Sequence, residues 1–132
     1  MEIVRFTAAL AMLDDARHLL GVQRWASAIS RSYYCSYQAM WAALGTPLRA
    51  HQWRHAGIIA HFVRGYWFAP EHPRTGPGLL EHWRRPLQWL YQKRLDVDYD
   101  IRPVTSTTAV RAVDIAAQVC QEIQPRRGGL AP

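Results

Sequence analysis

The sequence predicts an all-α protein, an up-and-down bundle of four to five helices. Three observations lead there. Apolar residues recur at steps of three and four along most of the chain, no run of four or more residues alternates cleanly between turn signals, and the gaps between periodic segments are mostly short. With 132 residues, 49% hydrophobic and 20% charged, the chain has the size and balance of one globular unit rather than of a disordered segment.

Each helix has its own signature. Ile3, Phe6, Leu10, Leu13, Ala16 and Leu20 mark one face of the first, and Gly21 stands where a C′ glycine would close it. The second runs from about Trp25 to Leu44 with a stripe of Ile29, Tyr33, Tyr37, Met40, Trp41 and Leu44, and Gly45-Thr46-Pro47 stops it. The short gap between these two makes them antiparallel neighbours. A third helix is expected over roughly Gln52 to Phe68, burying Ile58 or Ile59, Phe62, Val63 and Tyr66. Three prolines and two glycines between Ala69 and Gly78 then enforce a loop. The fourth helix carries Leu80, Trp83, Leu87, Leu90 and Tyr91 to about Val97, and Pro86 marks either a kink or its true start. Thr105 to Thr108 supply hydroxyl caps for a fifth, with a stripe of Val110, Val113, Ala117, Cys120 and Ile123. The expected organisation is a bundle over residues 1–123 followed by a flexible basic tail over 124–132.

Several function classes fall away. No apolar run reaches the roughly 18–20 residues of a bilayer span. Met1 to Arg5 lacks a secretory layout, so the expected location is the cytoplasm and no membrane partner is expected. Cys35 and Cys120 sit in apolar patterns and read as small core residues rather than a disulfide. There is no glycine-rich phosphate loop, nucleophile elbow or dinucleotide fingerprint. None of Glu2, Glu71, Glu81 and Glu122 has a histidine three residues on, which removes a di-iron bundle. His51 and His55 would share a helical face, but no neighbouring carboxylate or cysteine completes a zinc shell. Neither a metal nor another cofactor is expected.

Charge says more. The net charge is +6, and 15 of the 16 basic residues are arginine, whose planar fork suits phosphate and stacks on bases. Arg49, Arg54, Arg64, Arg74, Arg84 and Arg85 face only Glu71 and Glu81 over that stretch, interleaved with five histidines and with Trp53, Tyr66, Trp67, Phe68 and Trp83. Cations interleaved with aromatics are what a single-stranded nucleic-acid site requires, although a solvated basic face has the same composition. Near the end of the fourth helix, Arg94 and Asp98 lie one turn apart. A carboxylate there opposes the helix dipole, so Asp98 either takes a further partner, for which Arg31 is the choice, or lies just past the helix and caps a turn.

Ala28-Ile29-Ser30-Arg31-Ser32-Tyr33-Tyr34-Cys35, then His55-Ala56-Gly57 with Phe62, then Arg94 through Asp98-Tyr99, occur in order at suitable spacing. Together they resemble the A-x-S-R-x-Y-Y-A, H-x-G and R-x-x-x-D-Y signatures of the HEPN domain family (higher eukaryotes and prokaryotes nucleotide-binding), over roughly residues 5 to 123. The resemblance implies an HEPN-like bundle, often a homodimer, found in prokaryotic toxin–antitoxin, defence and CRISPR-associated systems. It also implies, in many members, a metal-independent ribonuclease site made of an arginine and a nearby histidine. Others bind nucleic acid or nucleotide without catalysis, and several are partnered with a minimal nucleotidyltransferase. Here Tyr99 stands where the nuclease branch has its histidine, and a phenol with a pKa near 10 is a poor base at neutral pH.

Three readings follow. In the first, Arg31, His55, Arg94, Asp98 and Tyr99, with Tyr34, Arg49 and Arg54 around them, line a cleft that binds RNA or nucleotide. Arg31 and Arg94 would contact phosphate, Asp98 would hold an arginine in its rotamer, and Tyr99 would stack or donate a hydrogen bond. In the second, a ribonuclease toxin uses His55, Arg94 and Tyr99 as catalytic residues, with Arg94 or Arg49 stabilising the phosphorane. In the third, exposed Trp53, Trp67 and Trp89 make the chain a non-catalytic interaction subunit of a larger complex.

Overall fold

The computed structural model describes residues 1–49 and 51–126. Within them lie five α-helices and no strand: α1 (Ile3–Gly21), α2 (Trp25–Leu44), α3 (His55–Arg64), α4 (Arg84–Asp98) and α5 (Ser106–Ile123). Short 3-10 turns precede α4 at Glu81–Trp83 and follow α5 at Gln124–Arg126. The all-α expectation therefore holds.

Helix α2 is the axle. It packs against all four other helices, and its buried residues go most of the way round: Ile29, Tyr33, Met40 and Trp41 alternate with Ala28, Ser32, Cys35, Ser36, Ala39 and Ala42. The small residues let neighbouring helices approach closely, since interaxial distance follows the side chains at the contact. The buried hydroxyls of Ser32 and Ser36 donate to the carbonyls of Ala28 and Ser32 one turn back, at 2.7 and 3.0 Å, so neither is left without a partner. Phe6, Ala9, Leu13 and Ala16 of α1 and Ala109, Ala112, Ala116, Val119 and Ile123 of α5 pack into the same core. Cys35 and Cys120 meet there as free buried thiols, Sγ to Sγ 3.7 Å.

Several local expectations are corrected. Helix α1 is not closed by a left-handed Gly21. Gln23 adopts that conformation (φ 62°), and the amides of Gln23 and Arg24 bond to the carbonyls of Leu20 and Leu19, a Schellman closure. Helix α3 is shorter than Gln52–Phe68. His51 (φ 61°) and extended Arg54 precede it, and Gly65 (φ 84°) ends it in the left-handed region. Pro86 sits in the first turn of α4, so of its two readings the start is correct. In α5 the stripe is displaced: Val110 is 52% exposed and Ala117 is marginal, because the small residues Ala109, Ala112 and Ala116 set which face nests on α2. Thr105 caps α5 as expected, its Oγ1 accepting from the Thr108 amide at 3.2 Å.

The segment between α3 and α4 is folded back onto α3. The amides of Leu79 and Leu80 donate to the carbonyls of Arg64 and Val63 at 3.3 and 2.9 Å. Gly78 makes this possible, since a Cβ there would stand 2.2 Å from the Val63 carbonyl oxygen and 2.6 Å from the Arg64 Cα. Trp53, Trp67 and Trp89 are not free aromatics. All three pack partly buried against the core, and the first two donate their indole N–H to the Gly45 and Phe62 carbonyls at 2.7 and 3.0 Å. Of the expected tail, Gln124–Arg126 forms the turn after α5, with Arg126 bonded to Glu122 and lying over Phe68; residues 127–132 lie outside the described residues.

Candidate functional site

Arg94 organises the site. One turn before the end of α4, it is a charged residue only 7% exposed. A buried guanidinium is tolerated only when its donors are matched. Here Nε donates to Asp98 Oδ2 at 3.1 Å, and Nη2 donates to the Tyr34 hydroxyl at 2.5 Å and, at the edge of bonding range, to the Tyr99 hydroxyl at 3.5 Å. The cation also lies 5.1–5.3 Å from the ring centres of Tyr33, Tyr34 and Tyr99. Burial opposes the charge, but the Tyr34 hydrogen bond, Tyr99 and the Asp98 carboxylate outweigh it and hold the pKa above the ordinary arginine value. Among the described residues Nη1 makes no hydrogen bond, so one end of the fork is uncommitted.

Arg94 lines a cleft of about 530 Å³ with Tyr34, Tyr37, Gln52, Trp53, Arg54, His55, Ala56 and Tyr91. His55, the first residue of α3, is clamped by aromatics from two other helices: the Tyr91 ring stacks on it at 4.8 Å, and Tyr33 and Tyr37 flank it at 5.4 and 5.2 Å. The Tyr33 hydroxyl hydrogen-bonds to Nδ1. Burial pushes the Tyr33 pKa well up, so the phenol stays protonated. Burial, and secondarily the Arg94 charge, lower the His55 pKa, so the ring is neutral at pH 7. No carboxylate lines this cleft.

On the other side of Tyr34 is a second hollow, about 350 Å³, lined by Leu19, Ala26, Ser27, Ser30, Arg31, Tyr34, Val97 and Asp98. Tyr34 and the Arg94–Asp98 pair form the wall between the two.

The structure thus distributes the predicted residues unevenly. His55, Arg94, Tyr34 and Arg54 share the cleft, whereas Arg31 lies exposed in the hollow behind Tyr34. Of the two expectations for Asp98, the further partner on α2 is found but is not Arg31, and the turn cap is not found. Asp98 is the last residue of α4, and its partners are Arg94 and the Ser30 hydroxyl at 3.2 Å rather than Arg31. Tyr99 is 67% exposed, with its ring against Arg94. Arg49 is exposed in the α2–α3 connection and lines neither space. His51 lies in that connection too, so it cannot pair with His55 on a helical face. Sequence reasoning missed the clamp of Tyr33, Tyr37 and Tyr91. The i,i+4 pair on α2 was legible but read as core, and nothing in the order of residues shows Tyr91 reaching His55.

Among the described residues no three His, Cys, Asp or Glu side chains gather as a metal site, and no helix is long and apolar enough to cross a membrane.

A five-helix bundle with an arginine–tyrosine centre at the end of α4 and a histidine at the start of α3 defines a class of small helical domains. The HEPN domain matches residues 4–126, nearly the whole chain, and the protein belongs to the HEPN family. No curated protein and no solved structure matches it. At the level of the family, that membership connects the chain with nucleotide- or RNA-related function.

Proposed function

We propose that this protein binds RNA or nucleotide through the cleft between α2, α3 and α4. The uncommitted Nη1 of Arg94 carries this reading. The guanidinium is fixed in its rotamer by Asp98 and Tyr34 and shares a carboxylate-free cleft with Arg54 and His55. A preorganised fork loses little entropy on meeting a phosphate. Arg94 and Arg54 take the phosphate, Asp98 positions Arg94, Tyr34 divides the cleft from the hollow where Arg31 gives a second cation, and exposed Tyr99 stacks on a base. In a filter-binding assay Arg94→Ala should weaken RNA binding about ten- to a hundredfold and reduce the salt slope by about 0.7. An unchanged affinity and slope, with only the melting temperature lowered, refutes the reading.

A second reading, metal-independent endoribonuclease, draws on one observation: a neutral His55 shares the cleft with Arg94. With the His55 proton on Nδ1 facing the Tyr33 hydroxyl, Nε2 would take the proton of a 2′-hydroxyl as that oxygen attacks phosphorus, the 5′-oxygen would leave with a proton from water, and Arg94 would stabilise the phosphorane. Arg49 lies outside the cleft and drops out of this role. Incubation with RNA in chelator tests it; intact RNA, with no cyclic phosphate product, removes it.

Residues 1–123 are proposed to act as one HEPN unit carrying the basic tail. The proposed assembly is a homodimer in the cytoplasm, checked by sedimentation. The proposed setting is a toxin–antitoxin, defence or CRISPR-associated system with a minimal nucleotidyltransferase as partner, checked by co-purification.

A further inference from the structure

The basic-aromatic stretch of sequence is only partly used by the cleft. Its remainder gathers at the far end of α3, where Ala60, His61, Arg64, Tyr66 and Arg74 line another hollow of about 410 Å³. No carboxylate lines it. Among the described residues neither Arg64 nor Arg74 has an acidic partner within ion-pair distance, and the nearby Glu81 is engaged by Arg84 and the Gly78 amide. The Arg74 guanidinium lies over Tyr66, its Cζ 3.6 Å from the ring centre, and the Tyr66 hydroxyl donates to the Pro73 carbonyl at 3.2 Å. The loop that carries Arg74 is anchored in turn by the close return of Gly78 to α3. One face of the guanidinium is covered by the phenol, and a base can stack on the other.

Side chains that line the two spaces touch. Trp53, which lines the cleft, packs against His61, which lines the far hollow, at 5.1 Å between ring centres. Both are served by α3, whose ends at His55 and Arg64 are about 13 Å apart along the axis. At the stacked rise of about 3.4 Å per nucleotide, that distance corresponds to roughly four nucleotides.

We infer that the Arg64–Arg74–Tyr66 hollow is a second phosphate- and base-binding subsite, next to the cleft across the Trp53–His61 contact, and that the ligand is a single-stranded polynucleotide rather than a free nucleotide. The inference rests on the phosphate-binding reading of the cleft and adds to it the length of the ligand.

Fluorescence anisotropy with a labelled dinucleotide and with oligouridylates of about five and about ten nucleotides tests it. Affinity should rise with length. The double variant Arg64→Ala/Arg74→Ala should weaken the longest oligomer about tenfold or more and lower its salt slope by about 1.4, two phosphates at about 0.7 each, while dinucleotide binding stays within about twofold. Tyr66→Ala should weaken the longest oligomer in the same way and Tyr66→Phe should not, since the ring remains. The corresponding oligodeoxyuridylate should bind within about tenfold of the RNA, because phosphates and base faces are common to both. A variant that folds, by its melting curve, and binds the long oligomer like wild type overturns the track alone. So does wild-type affinity that is independent of length, or binding confined to RNA. Failure of wild type to bind any oligomer overturns the cleft reading and the track together.

Discussion

Two glycines should respond to the same substitution with opposite signs. Gly57 lies in the first turns of α3, and a Cβ built there meets nothing within 4 Å. Gly57→Ala should therefore stabilise the protein by about 0.5–1 kcal/mol, the usual helical difference between the two residues. Gly78 is the counter-case. Its φ is not in the left-handed region, so an open site would also gain about 0.4–1 kcal/mol from a stiffer unfolded chain. Instead the added methyl would stand 2.2 Å from the Val63 oxygen, and both atoms it meets closest belong to backbone. The loop would have to back away by about an ångström. That disrupts the hydrogen bonds of Leu79 and Leu80 to α3, at about 1 kcal/mol each, and loosens Leu80, which is only 3% exposed. The expected loss is about 2–3 kcal/mol, or a fall in melting temperature of about 8–12 °C at this size. Urea denaturation of both variants decides it. A Gly78→Ala protein as stable as wild type would show that the loop does not return so closely to α3, and the placement of Arg74 would go with it.

Further expectations concern the cleft and core. Tyr34→Phe removes the principal partner of Arg94 Nη2 and should cost about 1–2 kcal/mol in urea denaturation; a double-mutant cycle with Arg94→Met should show most of that as coupling, and additive losses would mean the contact contributes nothing. His55 has a lowered folded pKa, so the unfolded chain takes up its proton first as pH falls. Stability from the neutral ring is fully present above the unfolded value of 6.5 and is lost as pH drops through the folded one. His55→Gln should flatten the denaturation midpoint in that window, and an unaltered pH profile would contradict the assignment. A phosphate placed between His55 and Arg94 should raise the His55 pKa, which an NMR titration with and without nucleotide can follow, with Tyr33, Tyr37 and Tyr91 as the other titratable groups against the ring. Cys35 and Cys120, buried side by side, should both resist thiol reagents until denaturant opens the core, because neither sulfur is accessible in the folded protein. Labelling in native buffer at the rate of unfolded protein would refute this.

The helices were legible because each has an amphipathic period long enough to survive local exceptions. Helix α2 matches its expected span, Trp25–Leu44. The misreadings arose where conformation is decided by something other than hydrophobicity. Gly65 in the left-handed region cut α3 short of Tyr66 and Phe68, and Gln23 rather than Gly21 closed α1. On α5, alanines outcompeted Val110 for the buried face, because close approach to α2 rewards small residues. At the site, Arg94 and Asp98 were legible as an i,i+4 pair and His55 through its motif. That Arg94 is held by Tyr34 across 60 positions of sequence, and that Arg31 faces away from it behind that same tyrosine, depends on how α2 and α4 cross. No local pattern records a crossing.

Because α2 packs against all four other helices, the amides of its buried turns should exchange only when most of the molecule opens, whereas the loop bearing Arg74 is anchored by a few bonds to the end of α3. A strand lying along α3 would then have one end gripped by the stiffest part of the protein and the other by a segment free to adjust. The Arg94 end would fix the position of the chain, and the Arg74 end would accommodate whichever bases follow.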